Sequence, residues 1–527
     1  MYVAGGNMKI TALIASVAAL FLTASAVTIE NDMLFVRALN EPDATRRGGM
    51  LLTLAERNEY PADLALIHLI RAELPQKSLS RVLPIARRRR GDPVAAVLLI
   101  RAFRQEASDA TPDPMPRGEL FDLMLAAWEN AAERKLSPFE QGLFRELSGR
   151  LLDLACDCGE TARIFPLVEK RINSRPRAEW IRDLPLAELL EFCYRHAYVA
   201  EGFELYSPEW SESPLPGRRA FAALLAESAK IPPEDDFSAM DRIRFLSGAD
   251  FGDMAILLAA ERLEKTNDPA VFRRRLNQLI YAMVDSGRHE IFENVRPLLN
   301  AGGAPLVEAL TLANGGKYRE ALALLPRIAD GAEKAELELN CRMALGEYDK
   351  VAEMAKSSKL PENMRAIKLL GIAELLRDGK YYTAAERVAG KLADEDIVLA
   401  NAFGYTALLL DLDRDQAEKR IRHALSARPR ESAYLDSLAW ARYCAGDYAG
   451  AWKYMEKSLR HSTPQVENCE LLAHAAAIRL ALGDRDGARR YGELALKLAL
   501  AGESSPRKGW LFHRQVADIR KMLEQMK

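Results

Sequence analysis

The chain has 527 residues, 49% of them hydrophobic and 28% charged, and Ala with Leu makes up roughly 30% of it. Aromatics reach only 7% and alternating Val/Ile-rich runs are scarce, so an all-β sandwich or barrel is excluded in favour of helices. The balance of 73 basic and 75 acidic residues leaves a net charge of −2, which excludes a basic nucleic-acid coat, and the length fits several domains or one long repeat array.

Residues 1–26 differ from the rest. Lys9 precedes the uncharged run Ile10 to Leu22, and the small residues Ala24, Ser25 and Ala26 follow. A positive start, a short apolar core and a small-residue cleavage site before Val27 predict a secretory signal peptide, with Met8 as the natural start. The second reading of this segment is an uncleaved inner-membrane anchor, since 17 uncharged residues stand at the lower end of spanning length. No later apolar run is long and charge-free enough to span a bilayer, so the mature chain is expected to carry no transmembrane segment. The expected location is the periplasm or cell envelope.

From Asn40 to Asn300 the pattern predicts amphipathic helices, among them Pro61–Leu74, Leu120–Arg134, Pro138–Cys156, a helix around Asp241–Leu246, and Pro269–Asp285. Short breaks separate them at Arg90-Gly91, Cys158-Gly159, Glu201-Gly202 and Ser286-Gly287. Longer polar or proline-rich stretches fall at 108–118, 206–217 and 231–237, and the softest boundary is expected at 206–217. The basic runs Arg87–Arg90 and Arg273–Arg275 read as a solvated helix end and an exposed helix face.

One constellation in this half has metal-ligand chemistry. Cys156, Cys158, Cys193 and His196 supply three thiols and an imidazole, a set that suits zinc. Stacked in register, however, the two pairs fall one to two helical turns apart, about 5–10 Å along the axis. All six cysteines therefore read first as small packing residues, and a helical metal protein or enzyme built on this cluster is the alternative.

The C-terminal part repeats a phrase: Gly316-Lys317-Tyr318, Gly346-Glu347-Tyr348, Gly379-Lys380-Tyr381, Gly446-Asp447-Tyr448, and Gly483-Asp484-Arg485. The glycines are 30, 33, 67 and 37 residues apart, and the double interval contains a unit with Asp413-Arg414-Asp415 in place of the glycine turn. Six units of roughly 34 residues result. Glycine permits the positive φ that ends one helix. The small residues five positions on (Ala321, Ala384, Ala451, Ala488) let the next helix approach closely.

Over 309–500 the chain resembles the tetratricopeptide repeat family, best in Ser432–Pro464. There Leu438-Ala439 stands at the family's Leu-Gly, the turn is Gly446-Asp447-Tyr448, and Ala451, Met455 and Ser458 fill the small, large and small core positions. Arg442 replaces the usual aromatic, and Gly492 falls where a bulky residue is expected. The resemblance implies an all-α solenoid of stacked helix–turn–helix units. It also implies a partner-binding groove at Asn401, Tyr405, Asp436, Trp440, Tyr443 and Glu470, where an aromatic pair flanked by polar groups would anchor a peptide. Trp440 and Tyr443 read equally well as packing against the neighbouring unit.

The expected organisation is a signal (1–26), divergent helical repeats (27–206 and 218–308), the repeat array (309–500) and a C-terminal capping helix (501–527, helical from about Trp510 to Gln525). No H-E-x-x-H, G-x-S-x-G, phosphate loop or G-x-G-x-x-G is present, and the seven histidines form no i,i+3 or i,i+4 pair. The sequence thus predicts an exported, non-catalytic scaffold for envelope assembly, export or secretion. It is expected to need no cofactor and no metal and to hold a protein or peptide partner of the envelope, with no nucleic acid.

Overall fold

The computed structural model describes residues 30–57, 82–92, 116–132, 138–174 and 184–526, apart from short gaps, and single positions between 65 and 96. The expected signal, the helix at 61–74 and nearly all of 108–118 lie outside the described residues. The described residues contain helices and turns and no strand, and they fall into two compact units.

The first unit comprises residues 1–158 and 175–185. Its helices are α1 (Ala44–Glu56), α2 (Val82–Arg88), α3 (Arg117–Ala132) and α4 (Pro138–Cys158), and α3 and α4 form a hairpin. Trp128 of α3 donates its indole N–H to Ser148 of α4 at 2.9 Å and stacks with Phe144. The arginine run closing α2 is paired internally: Arg87 meets Glu119 at 2.5 Å, Arg88 meets Glu56 at 2.7 Å, and Arg89 meets Asp92.

The second unit comprises residues 159–174 and 186–527. It opens with α5 (Thr161–Ser174), α6 (Leu186–Glu201), α7 (Pro216–Ser228), α8 (Asp236–Gly248), α9 (Gly252–Glu264) and α10 (Pro269–Asp285). Residues 206–217 lie inside this unit. Their Trp210 is buried and joins an aromatic cluster with Tyr194, Tyr206, Phe221 and Phe251. Of the basic run in α10, Arg274 and Arg275 reach Asp236 at 3.4 and 3.0 Å, and Arg262 shares that carboxylate.

Six hairpins follow: α11 (Ala304–Asn314) with α12 (Tyr318–Ala323), α13 (Ala332–Ala344) with α14 (Tyr348–Ser357), and α15 (Glu362–Leu376) with α16 (Gly379–Ala389). Next come α17 (Ile397–Leu409) with α18 (Arg414–Ala427), α19 (Ser432–Cys444) with α20 (Tyr448–His461), and α21 (Asn468–Ala481) with α22 (Arg485–Glu503). Each helix packs on its hairpin mate, and successive first helices also touch, from α11 to α13 and from α15 through α17 and α19 to α21. This is an all-α solenoid. Helix α23 (Gly509–Gln525) packs on α22 and α21 and buries Phe512, Val516 and Ile519.

Local chemistry explains the turns. Gly316, Gly346, Gly446 and Gly483 all adopt positive φ, and Asp447 and Asp484 cap the next helix by accepting from the backbone N–H groups of Gly450 and Gly487. Four small or β-branched residues sit four positions past the cap, Ala321, Val351, Ala451 and Ala488, each fully buried.

Two units correct the expected register. In the third, Arg377 takes the left-handed turn at φ 53°, Asp378 caps α16, and Gly379 is already helical. Tyr382 therefore occupies the small position, Ala385 is buried, and Ala384 is only half-buried. In the fourth, Asp411 supplies the left-handed residue at φ 53° and Asp413 the cap.

The two family departures also find physical reasons. Arg442 forms a 2.9 Å ion pair with Glu418 on the preceding hairpin. Gly492 leaves room for α23, since a Cβ there would stand 2.7 Å from the Leu523 side chain.

Distant segments of the unit also meet. Asn468 donates to the Tyr198 hydroxyl at 2.9 Å, and the Arg195 guanidinium donates to the His461 carbonyl at 2.8 Å.

Candidate partner-binding face

The first helices of consecutive hairpins stand side by side, and a roughly 34-residue period places equivalent side chains in rows across them. One row reads Asn401, Asp436 and Glu470; the other, one helical turn on, reads Tyr405, Trp440 and His474. Five of the six residues expected to line the groove are joined into a single cluster. The Tyr405 hydroxyl donates to Glu470 Oε1 at 2.5 Å and lies 3.3 Å from His474 Nε2. His474 Nδ1 stands 3.0 Å from Asp436 Oδ1. Trp440 stacks with His474 at a 4.1 Å centroid separation and with Tyr443 at 4.7 Å. Trp440 thus packs against the neighbouring hairpin through His474, and Tyr443 packs on Trp440.

Asn401 stands apart. Its amide oxygen is buried and lacks a hydrogen-bond partner.

Sequence reasoning missed two members. His474 follows from the period, being 34 residues beyond Trp440, but an isolated histidine carries no motif. Glu374, on α15, accepts from the Thr406 hydroxyl at 2.6 Å and borders the same cluster.

Burial and charge set the protonation of this face. Burial pushes Glu374 up to about 7, and the like charge of Glu470 adds to that, against the Thr406 hydrogen bond and Arg377. Burial disfavours the charged form of His474, but the Asp436 carboxylate, aided by Glu470, outweighs it and holds the imidazole above its ordinary value. Burial raises the Tyr405 phenol well above its usual range, and the charges of Glu470 and Asp436 push the same way. At neutral pH the phenol stays protonated and Glu374 sits near its midpoint. The cluster thus offers carboxylate acceptors, aromatic edges and an imidazole whose charged form Asp436 favours, which suits holding a polypeptide by hydrogen bonds and ring packing.

The thiol–imidazole grouping does not form a ligand set. Among the described residues, no group of three or more His, Cys, Asp or Glu side chains is placed to hold a metal ion. Cys156 and Cys158 belong to the first unit; Cys193 and His196 belong to the second. His196 stacks on Phe165 at 4.2 Å, lies 3.4 Å from the Thr161 hydroxyl, and is pushed down to about 4 by burial. It is a neutral packing ring. None of the six cysteines forms a disulfide, and burial raises Cys341 and Cys469 to about 12, which makes them inert thiols. Among the described residues, no helix is long and apolar enough to cross a membrane.

No family model and no curated protein matches the chain. Several solved structures are similar to it over most of their length. Yeast Tom70 is 14% identical, covering 95% of this chain and 96% of that one, with a TM-score of 0.35. The Cut9–Hcn1 hetero-tetramer of the APC/C gives 13% identity over 94% and 96%, with a TM-score of 0.30. The pentatricopeptide repeat protein PPR10 from maize gives 15% identity over 94% and 78%, also at a TM-score of 0.30. The solenoid follows from the helix pairing of the chain itself.

Proposed function

We propose that this chain is an exported tetratricopeptide-type scaffold of the cell envelope, which holds a protein or peptide partner on the face formed by α15, α17, α19 and α21. The observation that carries the reading is the connected cluster of Tyr405, Asp436, Trp440, Glu470 and His474, repeated in register across three first helices. Aromatic anchors flanked by half-buried acceptors are what a peptide-holding surface requires. Display of that surface, rather than bond-making, is its mechanism. Envelope assembly, polymer export and secretion are the processes in which such a scaffold would serve. The segment before Val27 supports export.

Two experiments test this reading. Quantitative capture from an envelope extract should recover a specific partner with the native chain and lose it with Trp440→Ala and Tyr405→Ala; unchanged capture removes the groove. N-terminal sequencing of the mature protein should return Val27 as first residue, and retention of residues 8–26 would favour the membrane anchor.

A further inference from the structure

A second surface lies on the face of α11 and α13, and the chain itself already sits on it. The Tyr318 hydroxyl is within hydrogen-bond distance of the carbonyls of Pro506 and Arg507, at 3.0 and 2.8 Å. The Arg507 guanidinium reaches the Asp285 carboxylate at 3.2 Å. Trp510 packs against the cluster that contains Leu339 and Met343. It also borders a cavity of about 370 Å³ lined by Leu310, Leu337, Cys341, Glu333 and Glu336. Gly316 brings its backbone so close that a Cβ there would stand 2.6 Å from the Pro506 carbonyl oxygen.

Arg507 and Asp285 are 43% and 27% exposed, and pairs of that kind contribute little net stability. Trp510 is only half-buried, and the cavity beside it has the volume of a small ligand pocket, whereas permanent packing would fill it. The rest of α23 is held independently by Phe512, Val516 and Ile519, each at most 3% exposed. The Arg507–Trp510 edge is thus held by contacts of its own, separate from the buried face of α23.

We propose that residues 505–510 occupy a docking surface in cis, and that this surface takes in trans a partner segment of the same chemistry: a large aromatic anchor three residues after an arginine. Asp285 receives the arginine, the Leu339–Met343 cluster at the rim of the cavity receives the ring, and Tyr318 holds the carbonyls of the arginine and of the residue before it. The chain's own segment gates the site, so a partner binds only by displacing Trp510. This surface is separate from the Tyr405–Trp440 cluster, and failure of either leaves the other standing.

The test uses the full chain and a fluorescent peptide with the sequence of residues 503–512. Trp510→Ala vacates the site and should bind the peptide at least tenfold more tightly than the native chain, as read by fluorescence anisotropy. Adding Asp285→Asn to Trp510→Ala should weaken peptide binding by a smaller factor, about two- to threefold, and a scrambled peptide should not bind. Tyr318→Phe removes one hydroxyl from the latch and the same hydroxyl from the site, so it should weaken peptide binding to the Trp510→Ala chain. Circular dichroism checks that each variant keeps its helices. Should Trp510→Ala lose them, the milder Trp510→Leu replaces it, with a gain in the same direction expected. Equal binding to native and vacated chains, or no binding to the vacated chain, overturns the proposal.

Discussion

The hairpins of 304–503 close on small residues, whereas the helices of 186–251 close on aromatic rings. In the first region Ala417, Ala451 and Ala488 are at most 1% exposed and let backbones approach. In the second, Tyr194 stacks on Phe221 at 4.5 Å, and Tyr206, Trp210 and Phe251 surround the pair. The same hairpin architecture is thus reached in two ways. Close approach favours a small residue at one fixed position, met by Ala321, Ala417, Ala451 and Ala488 though not by Tyr382 of the third hairpin, and so writes a period into the sequence. Ring packing has many solutions and writes none.

Substitutions that reverse the two strategies sharpen this contrast. The largest effect is expected from Phe221→Ala, which empties a fully buried site and should cost about 3–5 kcal/mol in a urea unfolding experiment. Next, Ala451→Leu should cost about 1–3 kcal/mol by overpacking the α19–α20 contact, with no comparable loss from replacing half-buried Ala402. A neutral Ala451→Leu would break the account of the period.

A third effect concerns pH. Glu374 is raised to about 7 in the folded chain, so the native state holds its proton more tightly than the unfolded state, and stability falls as pH rises from about 5 to 7. His474, raised by Asp436, adds stability that is present below its unfolded value near 6.5 and fades as pH rises further. Both signs agree: the array should melt at lower temperature at pH 8 than at pH 6. Glu374→Gln should flatten the acid side of that profile, with a gain on the order of 1–2 kcal/mol at pH 8. The smallest effect is expected from Arg442→Ala, whose partly exposed pair with Glu418 contributes about 0.5 kcal/mol.

Legibility in the sequence follows the same contrast. The turn glycines were readable because positive φ selects few residue types, whereas the aspartates beside them gained their capping role only in the structure. The breaks at Gly91, Gly159, Gly202 and Gly287 were readable for the same reason, and all four adopt positive φ. Register failed at Gly379, where a glycine near the turn drew attention from Arg377, a residue that rarely adopts the left-handed conformation it holds here. The positions of Tyr405 and Asp436 came from the family resemblance. Glu374 and His474 did not stand out, since a carboxylate or imidazole on a helix gains its meaning only from the neighbouring helices. The contacts of Pro506 and Arg507 with Tyr318 link residues more than 180 positions apart, and no local pattern encodes them.

The most direct test of the scaffold reading is site-specific photo-crosslinking in the native host. A photoreactive phenylalanine analogue at position 405, on the first-helix face, is compared with the same group at Glu456, exposed on the second helix of the next hairpin. The account predicts one dominant cross-linked partner from position 405 and none from position 456. Equal cross-linking from both positions, or none from position 405 while the chain remains folded, would contradict it.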